Sequence, residues 1–424
     1  METKEDTEAN TPLINVVPPE NFISKIRVKT GLLIGLILAL AIFFVYFSIS
    51  ETYNNENSKL ANRVPEISPK LTSSISKNAA IKKEAIGFLP SWSVANKSKV
   101  YPEKLSQIIY FGLSINSDGS IIRYNEDKLP VLEWTYFNSD YFKEIRNDAS
   151  RSGTKILLSI KSFDNETIDN VISNKSATNR LADELGVLIT QYDLDGINID
   201  FEYFTDTDFP TSKYLSKFLE TLSSKLREET PELIISIDVN STVVIKDKAY
   251  NMTEISKSVD QVILMAYDYR QQGSAKAGPT APINSLSNEH SISESVESLS
   301  GRVPIKKLIL AIPFYGYEWQ TITTNQKSPT VEGSGALATY RRVRELLSKR
   351  SDAVKSWDDI SKSPWLTYRE YGAIKQVYYE DDRSIAEKIR FANENKMGGI
   401  AIWALGYEGS YLEPWKVIEK ENLN

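Results

Sequence analysis

The segment DGINIDFEY, residues 195–203, carries an amide and two carboxylates at alternating positions of a short apolar run. Asn198, Asp200 and Glu202 recur at the two-residue period of a β-strand, so their side chains share one face of it. If that face lies at a sheet edge, the three residues are simply solvated. If it lies inside the protein, the carboxylates need hydrogen-bonding partners and a use, such as acid–base chemistry.

The residue types that the chain lacks restrict its chemistry. Among its 424 residues there are no cysteines and one histidine, His290. Disulfides, thiolate catalysis and cysteine-based zinc sites are therefore excluded. His290 lies in a polar run without a nucleophile-elbow motif, and we interpret it as a surface loop residue. The net charge of −6 offers no basic surface to nucleic acid. We expect carboxylates and tyrosines to carry any catalysis, without a metal or cofactor.

The N-terminal region predicts a membrane location. Residues 30–50 form an uncharged apolar run that is long enough to cross a bilayer. Basic residues precede this run and acidic residues follow it, which predicts a cytoplasmic tail at 1–29 and an extracellular remainder. Residues 51–83 are polar and typical of a flexible stalk. We therefore expect a single-pass protein of the cell membrane with a signal anchor; a cleaved signal peptide is the alternative.

Eight short apolar, strand-like runs follow the stalk, and helical patterns separate them. The runs begin at Ala85, Gln107, Lys155, Asp195, Leu233, Gln261, Lys307 and Gly398. Such alternation predicts an α/β fold, a (β/α)8 TIM barrel over residues 84–424. The last two runs start 91 residues apart, so we expect a small α+β insertion at about 319–379, between strands 7 and 8, on the face where such barrels build active sites.

In a barrel, residues 195–203 would lie in the protein interior and not at a solvated sheet edge. Inward residues of a barrel strand point to the axis, so Asn198, Asp200 and Glu202 would line the interior, with Glu202 nearest the C-terminal mouth. Polar groups there are costly unless they bond one another. A functional site is the favoured interpretation, and a purely structural hydrogen-bond network is the alternative.

The chain from about residue 84 resembles the family 18 glycoside hydrolases. The strand-four signature of that family, D-x-x-D-x-D-x-E, reads here Asp195-Gly-Ile-Asn198-Ile-Asp200-Phe-Glu202, with asparagine in place of the second aspartate. Three further segments resemble the family in the right order. They are GFLPSW with Phe88, MAYDY with Met265, Tyr267 and Asp268, and GGIAIWALG with Trp403.

The resemblance implies a glycosidase that cleaves β-linked glycans containing N-acetylglucosamine, such as peptidoglycan or chitin, and the predicted anchor would make it membrane-anchored and extracytoplasmic. In this family the 2-acetamido oxygen of the substrate attacks the anomeric carbon, with retention. Glu202 would be the acid and then the base, Asp200 would accept the acetamido N–H, and Tyr267 would donate to the acetamido carbonyl. The implied substrate-binding residues are Asn198, Met265, Asp268, Trp403 and Phe88.

Two departures from the family pattern bear on the substrate. Asn198 cannot exchange a proton with Asp200, although its amide can donate a hydrogen bond. The segment SIKSF after strand three replaces the Ser-x-Gly-Gly of many chitinases and adds Lys161, which we interpret as a solvated loop residue. The chain looks closer to the bacterial spore-cortex and peptidoglycan-active branch.

Other functions stay open at this point. A chitinase-like glycan-binding protein without turnover is the main alternative, although binding-only relatives typically lose the acid that is present here as Glu202. A structural protein of the cell envelope would leave the polar strand face unexplained. Four further tryptophans could stack on sugars or be ordinary surface or core residues. They are Trp92, Trp134, Trp319 and Trp365.

Overall fold

The computed structural model describes residues 83–203, 210–246, 250–286 and 289–422. Within them, eight parallel strands close into a barrel in the order β1-β13-β7-β6-β5-β4-β3-β2, numbered along the chain. The barrel strands are β1 Glu84–Pro90, β2 Gln107–Ser114, β3 Lys155–Ser162, β4 Gly196–Phe201, β5 Ile234–Asn240, β6 Gln261–Met265, β7 Leu308–Pro313 and β13 Gly399–Trp403. Each starts within one residue of its predicted run, and the predicted barrel is confirmed.

Helices cover the outside of the barrel. They are Ser91–Ala95, Leu132–Phe137, Asp140–Ser152, Asn165–Ser173, Lys175–Tyr192, Thr211–Glu229, Ser241–Lys246, Met252–Ser258, Ile292–Leu299, Asp382–Glu394 and Glu413–Asn422. Two short 3-10 turns, Pro102–Lys104 and Ile305–Lys307, precede β2 and β7. The apolar residues that recur at three- and four-residue spacing in these helices pack on the outer face of the strands.

Local signals place β4 at its position in the barrel. Helix Lys175–Tyr192 begins after Asn174, whose side chain accepts hydrogen bonds from the first-turn N–H groups, and ends at Asp193 in the left-handed conformation. Asp195, the first residue of the motif, accepts a hydrogen bond from the backbone N–H of Ile156 at 2.8 Å. This bond ties the start of β4 to β3.

The insertion between β7 and β13 is a second, antiparallel sheet of five strands, in the order β10-β11-β12-β8-β9. Its elements are β8 Tyr315–Thr321, β9 Ala336–Thr339, helix Tyr340–Lys349, β10 Val354–Asp358, β11 Ser363–Glu370 and β12 Ala373–Tyr378. The observed sheet begins four residues before the expected boundary, because β7 and β8 are two strands within one continuous apolar run, separated at Phe314.

The predicted membrane location is corrected. Within the ranges described above, no helix is both long and apolar enough to cross a membrane. The segment expected to be the anchor, residues 30–50, lies outside the described residues, as do the predicted tail and almost all of the predicted stalk. The described residues likewise give no support for a membrane partner.

Candidate active site

The polar face of β4 points into the barrel, while its apolar face packs outward. Phe201 lies against Phe218 of helix Thr211–Glu229, with ring centroids 5.5 Å apart. On the other face, Asn198 and Asp200 are 0% and 2% exposed. Glu202 follows the last residue of the strand, at the C-terminal mouth. The solvated-edge interpretation is therefore wrong, and the inward orientation is confirmed.

Strand β5 supplies polar partners that we did not anticipate. The Asn198 amide nitrogen donates to the hydroxyl of Ser236 at 3.1 Å and to a carboxylate oxygen of Asp238 at 2.9 Å. Asp238 is 2% exposed. The two strands run parallel, with Asn198 beside Ser236 in the register. Asp200 and Asp238 follow Asn198 and Ser236 by two residues each and are thus neighbours on the inner face.

Burial shifts the titration of the Glu202 carboxyl towards neutral pH. Burial raises its pKa to about 7 from an ordinary value of 4.5. A hydrogen bond with Asn240 at the end of β5 opposes this shift, and the charge of Asp268 adds to it. A carboxyl with such a pKa can both give and take a proton near pH 7.

Asp200 lies between charges of both signs. Burial raises its pKa well above the ordinary value, the charges of Asp238 and Glu202 raise it further, and Lys161 lowers it. Lys161 pairs with Asp200 in the register of β3 and β4. Our interpretation of Lys161 as a solvated loop residue is wrong, because it belongs to β3 and its side chain is 13% exposed.

The segment after β6 places Tyr267 and Asp268 at the same mouth. One oxygen of Asp268, Oδ1, accepts hydrogen bonds from the hydroxyls of Tyr315 at 2.7 Å and Tyr317 at 3.1 Å. Both tyrosines belong to β8, so the inserted sheet holds Asp268 in place. The Tyr267 ring lies 6.0 Å from that of Tyr315, and burial raises the pKa of Tyr267, which keeps it a hydroxyl donor. Met265 is the last residue of β6 and is half-buried.

An aromatic cluster lies around Trp403 at the end of β13. Its ring centroid is 5.6 Å from that of Phe88, 4.7 Å from that of Phe111 and 6.3 Å from that of Trp92. Phe88 is buried, whereas Trp92 is 41% exposed. The cluster therefore has a buried base and an open edge, which suits a sugar ring.

The other candidate residues occupy different surroundings. Trp319 is fully buried and donates to the carbonyl of Gln272, so it is a core residue. Trp365 stacks on Tyr378 of the inserted sheet, and Trp134 stacks on Phe137 beside β2. His290 is an exposed residue whose Nδ1 lies 2.9 Å from a carboxylate oxygen of Glu294.

The described part of the chain contains no cluster of side chains that could bind a metal ion. Across residues 83–203, 210–246, 250–286 and 289–422, no group of three or more histidine, aspartate or glutamate side chains is arranged to hold an ion. The acidic residues of the mouth instead accept hydrogen bonds from an amide and from tyrosine hydroxyls, and Asp200 also lies within the electrostatic influence of Lys161.

A signal for the missed residues was present in the sequence. Ser236, Asp238 and Asn240 alternate with apolar residues in β5, and Ser159 and Lys161 do so in β3. This is the same two-residue period as in β4. Adjacent strands of a barrel present such residues to one interior, so the three segments form one polar surface.

Comparison with known proteins shows which family the chain belongs to. The model of the family described as Glycosyl hydrolases family 18 matches residues 84–408. The chain belongs to this family. The resemblance deduced from the four motifs is thereby confirmed.

Relatives of the chain include proteins named as a chitinase and a glycosylase. A Drosophila melanogaster protein named Probable chitinase 2 is 24% identical over 323 residues, which cover 72% of this chain and 66% of that protein. A Bacillus subtilis protein named Uncharacterized glycosylase YvbX is 28% identical over 267 residues, which cover 62% of this chain and 71% of that protein. These relatives support glycan hydrolysis or glycan binding in general.

Solved structures of chitinases share the fold. The Ostrinia furnacalis Group IV chitinase in complex with allosamidin superimposes with a TM-score of 0.69 at 18% identity, covering 80% of this chain and 98% of that one. The Cycas revoluta chitinase in complex with (GlcNAc)3 superimposes with a TM-score of 0.67 at 22% identity, covering 80% and 99%.

Proposed function

We propose that this family 18 protein is a retaining glycosidase that cleaves β-linked glycans containing N-acetylglucosamine, of the peptidoglycan or chitin type. The observation that carries the proposal is the Glu202 carboxyl, which lies at the barrel mouth with its pKa raised to about 7. A binding-only protein has no use for a proton donor at this place. The presence of Glu202 therefore favours turnover over the glycan-binding alternative.

The proposed reaction proceeds in two steps. In the first, protonated Glu202 gives its proton to the glycosidic oxygen while the 2-acetamido oxygen of the substrate attacks the anomeric carbon, which breaks the glycosidic bond. In the second, the Glu202 carboxylate takes a proton from water, which opens the cyclic intermediate and restores the β configuration.

The remaining residues position and stabilise the acetamido group. We assign the Asp200 carboxylate as the acceptor of a hydrogen bond from the acetamido N–H, because a negative charge there stabilises the cationic intermediate. The Tyr267 hydroxyl donates to its carbonyl oxygen. We assign Trp403, whose ring centroid is 5.6 Å from that of Phe88, to the floor of the sugar site, and Met265 to the packing of the sugar. Asp268 uses Oδ1 for the two tyrosines of β8, and we assign Oδ2 to a sugar hydroxyl.

The choice of polymer tests the proposal directly. The full chain is incubated with a chitooligosaccharide or with purified peptidoglycan, and released reducing ends are measured. Turnover of either polymer supports the proposed function, and the preferred polymer defines the substrate. Binding of both without any release of reducing ends supports the glycan-binding alternative and contradicts the proposal.

The pH dependence follows from the Glu202 pKa. Because the first step needs protonated Glu202, we expect kcat/KM to fall about tenfold per pH unit above about pH 7. An ordinary glutamate would impose this loss above pH 4.5. Replacing Asn240 with alanine removes the hydrogen bond that lowers the pKa, so the alkaline limb should move to higher pH. An alkaline limb near pH 4.5, or one that Asn240→Ala leaves in place, would contradict the assignment.

The acid limb tests the role of Asn198. Asn198→Asp adds a third carboxyl to the buried aspartates, and its charge should raise the pKa of Asp200. Since Asp200 acts as a carboxylate, we expect the acid limb of kcat/KM to move up by about one pH unit. Asn198→Ala is the control, because it removes the amide without adding a charge. An identical acid limb in Asn198→Asp and the unmodified protein would defeat this expectation.

A further inference from the structure

The proposed reaction leaves Asp238, a buried carboxyl on the inward face of β5, without a role. Asp238 is 2% exposed, and it contacts neither a lysine nor an arginine among the hydrogen bonds and ion pairs that the described residues show. Its one recorded partner is the Asn198 amide, which donates at 2.9 Å. An isolated carboxylate at such a place is costly, so Asp238 needs either a proton or a function that justifies the charge.

The register places Asp238 beside Asp200. Strands β4 and β5 are parallel, with Ile199 beside Ile237 as the last recorded pair. The next residues of the two strands are Asp200 and Asp238, and neighbouring strands lie about 4.8 Å apart. Both side chains belong to the inward face, because each follows the inward Asn198 and Ser236 by two residues.

Two adjacent buried carboxyls cannot both be ionised at moderate pH. One oxygen of Asp200, Oδ1, has no hydrogen-bond partner within the described ranges. The Asn198 side chain reaches from β4 to Asp238 on β5, but it is an amide, so it cannot hold the proton that the pair requires. The only titratable group that the register puts next to Asp200 on β5 is Asp238.

We propose that Asp238 is a positioning residue that shares one proton with Asp200 and so lets Asp200 carry the negative charge at the acetamido group. In this arrangement Asp238 of β5 supplies the carboxyl that the family motif has at position 198 of β4, where this chain has asparagine. Asn198 holds Asp238 in place through its amide. The inference rests on the proposed function, since the charge on Asp200 is used only if the chain is a glycosidase.

The surrounding charges are consistent with one proton on the pair. Burial and the charge of Glu202 raise the pKa of Asp238, and the hydrogen bond from Asn198 opposes them. On β3, Lys161 lowers the pKa of Asp200, which favours the proton on Asp238. The other titratable groups that interact with Asp238 are Asp200, Tyr250 and Tyr267.

The test exchanges the acid and the amide between the strands. Asp238→Asn removes the partner carboxyl, so the pKa of Asp200 should fall and the acid limb of kcat/KM should move down by about one pH unit. The double variant Asn198→Asp with Asp238→Asn restores one acid and one amide, and we expect its acid limb to return towards that of the unmodified protein. Ser236→Ala is the matched control, because it removes a neutral contact of Asn198 and should not move the limb.

A second readout does not need turnover. In the full chain with carbon-13-labelled aspartate carboxyls, a proton-sharing pair titrates in two coupled steps. Asp238→Asn should leave a single step for Asp200, and the double variant should show two steps again. If no glycan is cleaved but these titrations hold, the proposed function fails and the pair stands. If Asp238→Asn and Ser236→Ala have the same limb and the same titration as the unmodified protein, the pair itself is wrong.

Discussion

Replacing Glu202 with glutamine should lower kcat/KM on a chitooligosaccharide or peptidoglycan by about two or more orders of magnitude. Glutamine keeps the size of the side chain and its hydrogen bond with Asn240, but it cannot protonate the leaving oxygen. Because the sugar contacts assigned to Trp403 and Asp268 are unchanged, binding of the oligosaccharide should stay within a few-fold. Initial rates of reducing-end release and titration calorimetry measure the two quantities separately.

The buried Glu408 offers a matched control for this experiment. Glu408 is 0% exposed and burial raises its pKa to about 7, as for Glu202. Its carboxylate accepts hydrogen bonds from the Gly406 N–H at 2.7 Å and the Trp415 indole N–H at 3.2 Å. Glutamine keeps one of these two acceptor oxygens, and Glu408 has no role in the proposed reaction, so Glu408→Gln should lower stability but keep most of the activity of the folded protein. Equal losses in the two variants would show that burial, and not proton transfer, accounts for the effect of Glu202.

Replacing Asp200 with asparagine should have the next largest effect, a loss of about 100- to 1000-fold in kcat. Asparagine still has an oxygen that can accept the acetamido N–H, so substrate binding and KM should change little. The negative charge that stabilises the cationic intermediate is lost, and that charge matters mainly in the transition state. Steady-state kinetics at the pH optimum of each variant measure kcat and KM separately.

The control for Asp200 is a buried aspartate of the inserted sheet. Asp358 is 6% exposed and accepts hydrogen bonds from the backbone N–H groups of Ile360 and Ser361. Asp358→Asn changes a buried carboxyl to an amide at a position without a role in the proposed reaction. A loss in Asp200→Asn that appears in KM instead of kcat would contradict the assigned stabilising role.

Most of the barrel and the strand-four part of the site could be predicted from the sequence. Each apolar run is local in the chain, and its two-residue or 3.6-residue period depends only on neighbouring residues. The alternation of Asn198, Asp200 and Glu202 is such a local signal, and the motifs with Tyr267 and Trp403 are equally short. The start of β8 was misplaced because an apolar run carries no mark where one strand ends and the next begins.

Contacts between strands depend on closure of the barrel. Asp238 lies 40 residues after Asn198, yet the register of β4 and β5 brings the two side chains within 2.9 Å. Lys161 looked like a solvated residue because periodicity alone does not tell an inward polar residue from an outward one. Likewise, the tyrosines of β8 meet Asp268 because the inserted sheet folds against the mouth of the barrel.

By itself, the sequence therefore determined the family, the eight strands and the acid at the end of the fourth, because each of these depends on short motifs or on local periodicity. The tertiary structure alone decided which groups surround that acid. Only the closed barrel places Lys161, Asp238 and Asn240 beside the β4 carboxyls, and burial among them then raises the pKa of Glu202 to about 7. Desolvation and charge–charge interactions act through space, so no pattern along the chain expresses them.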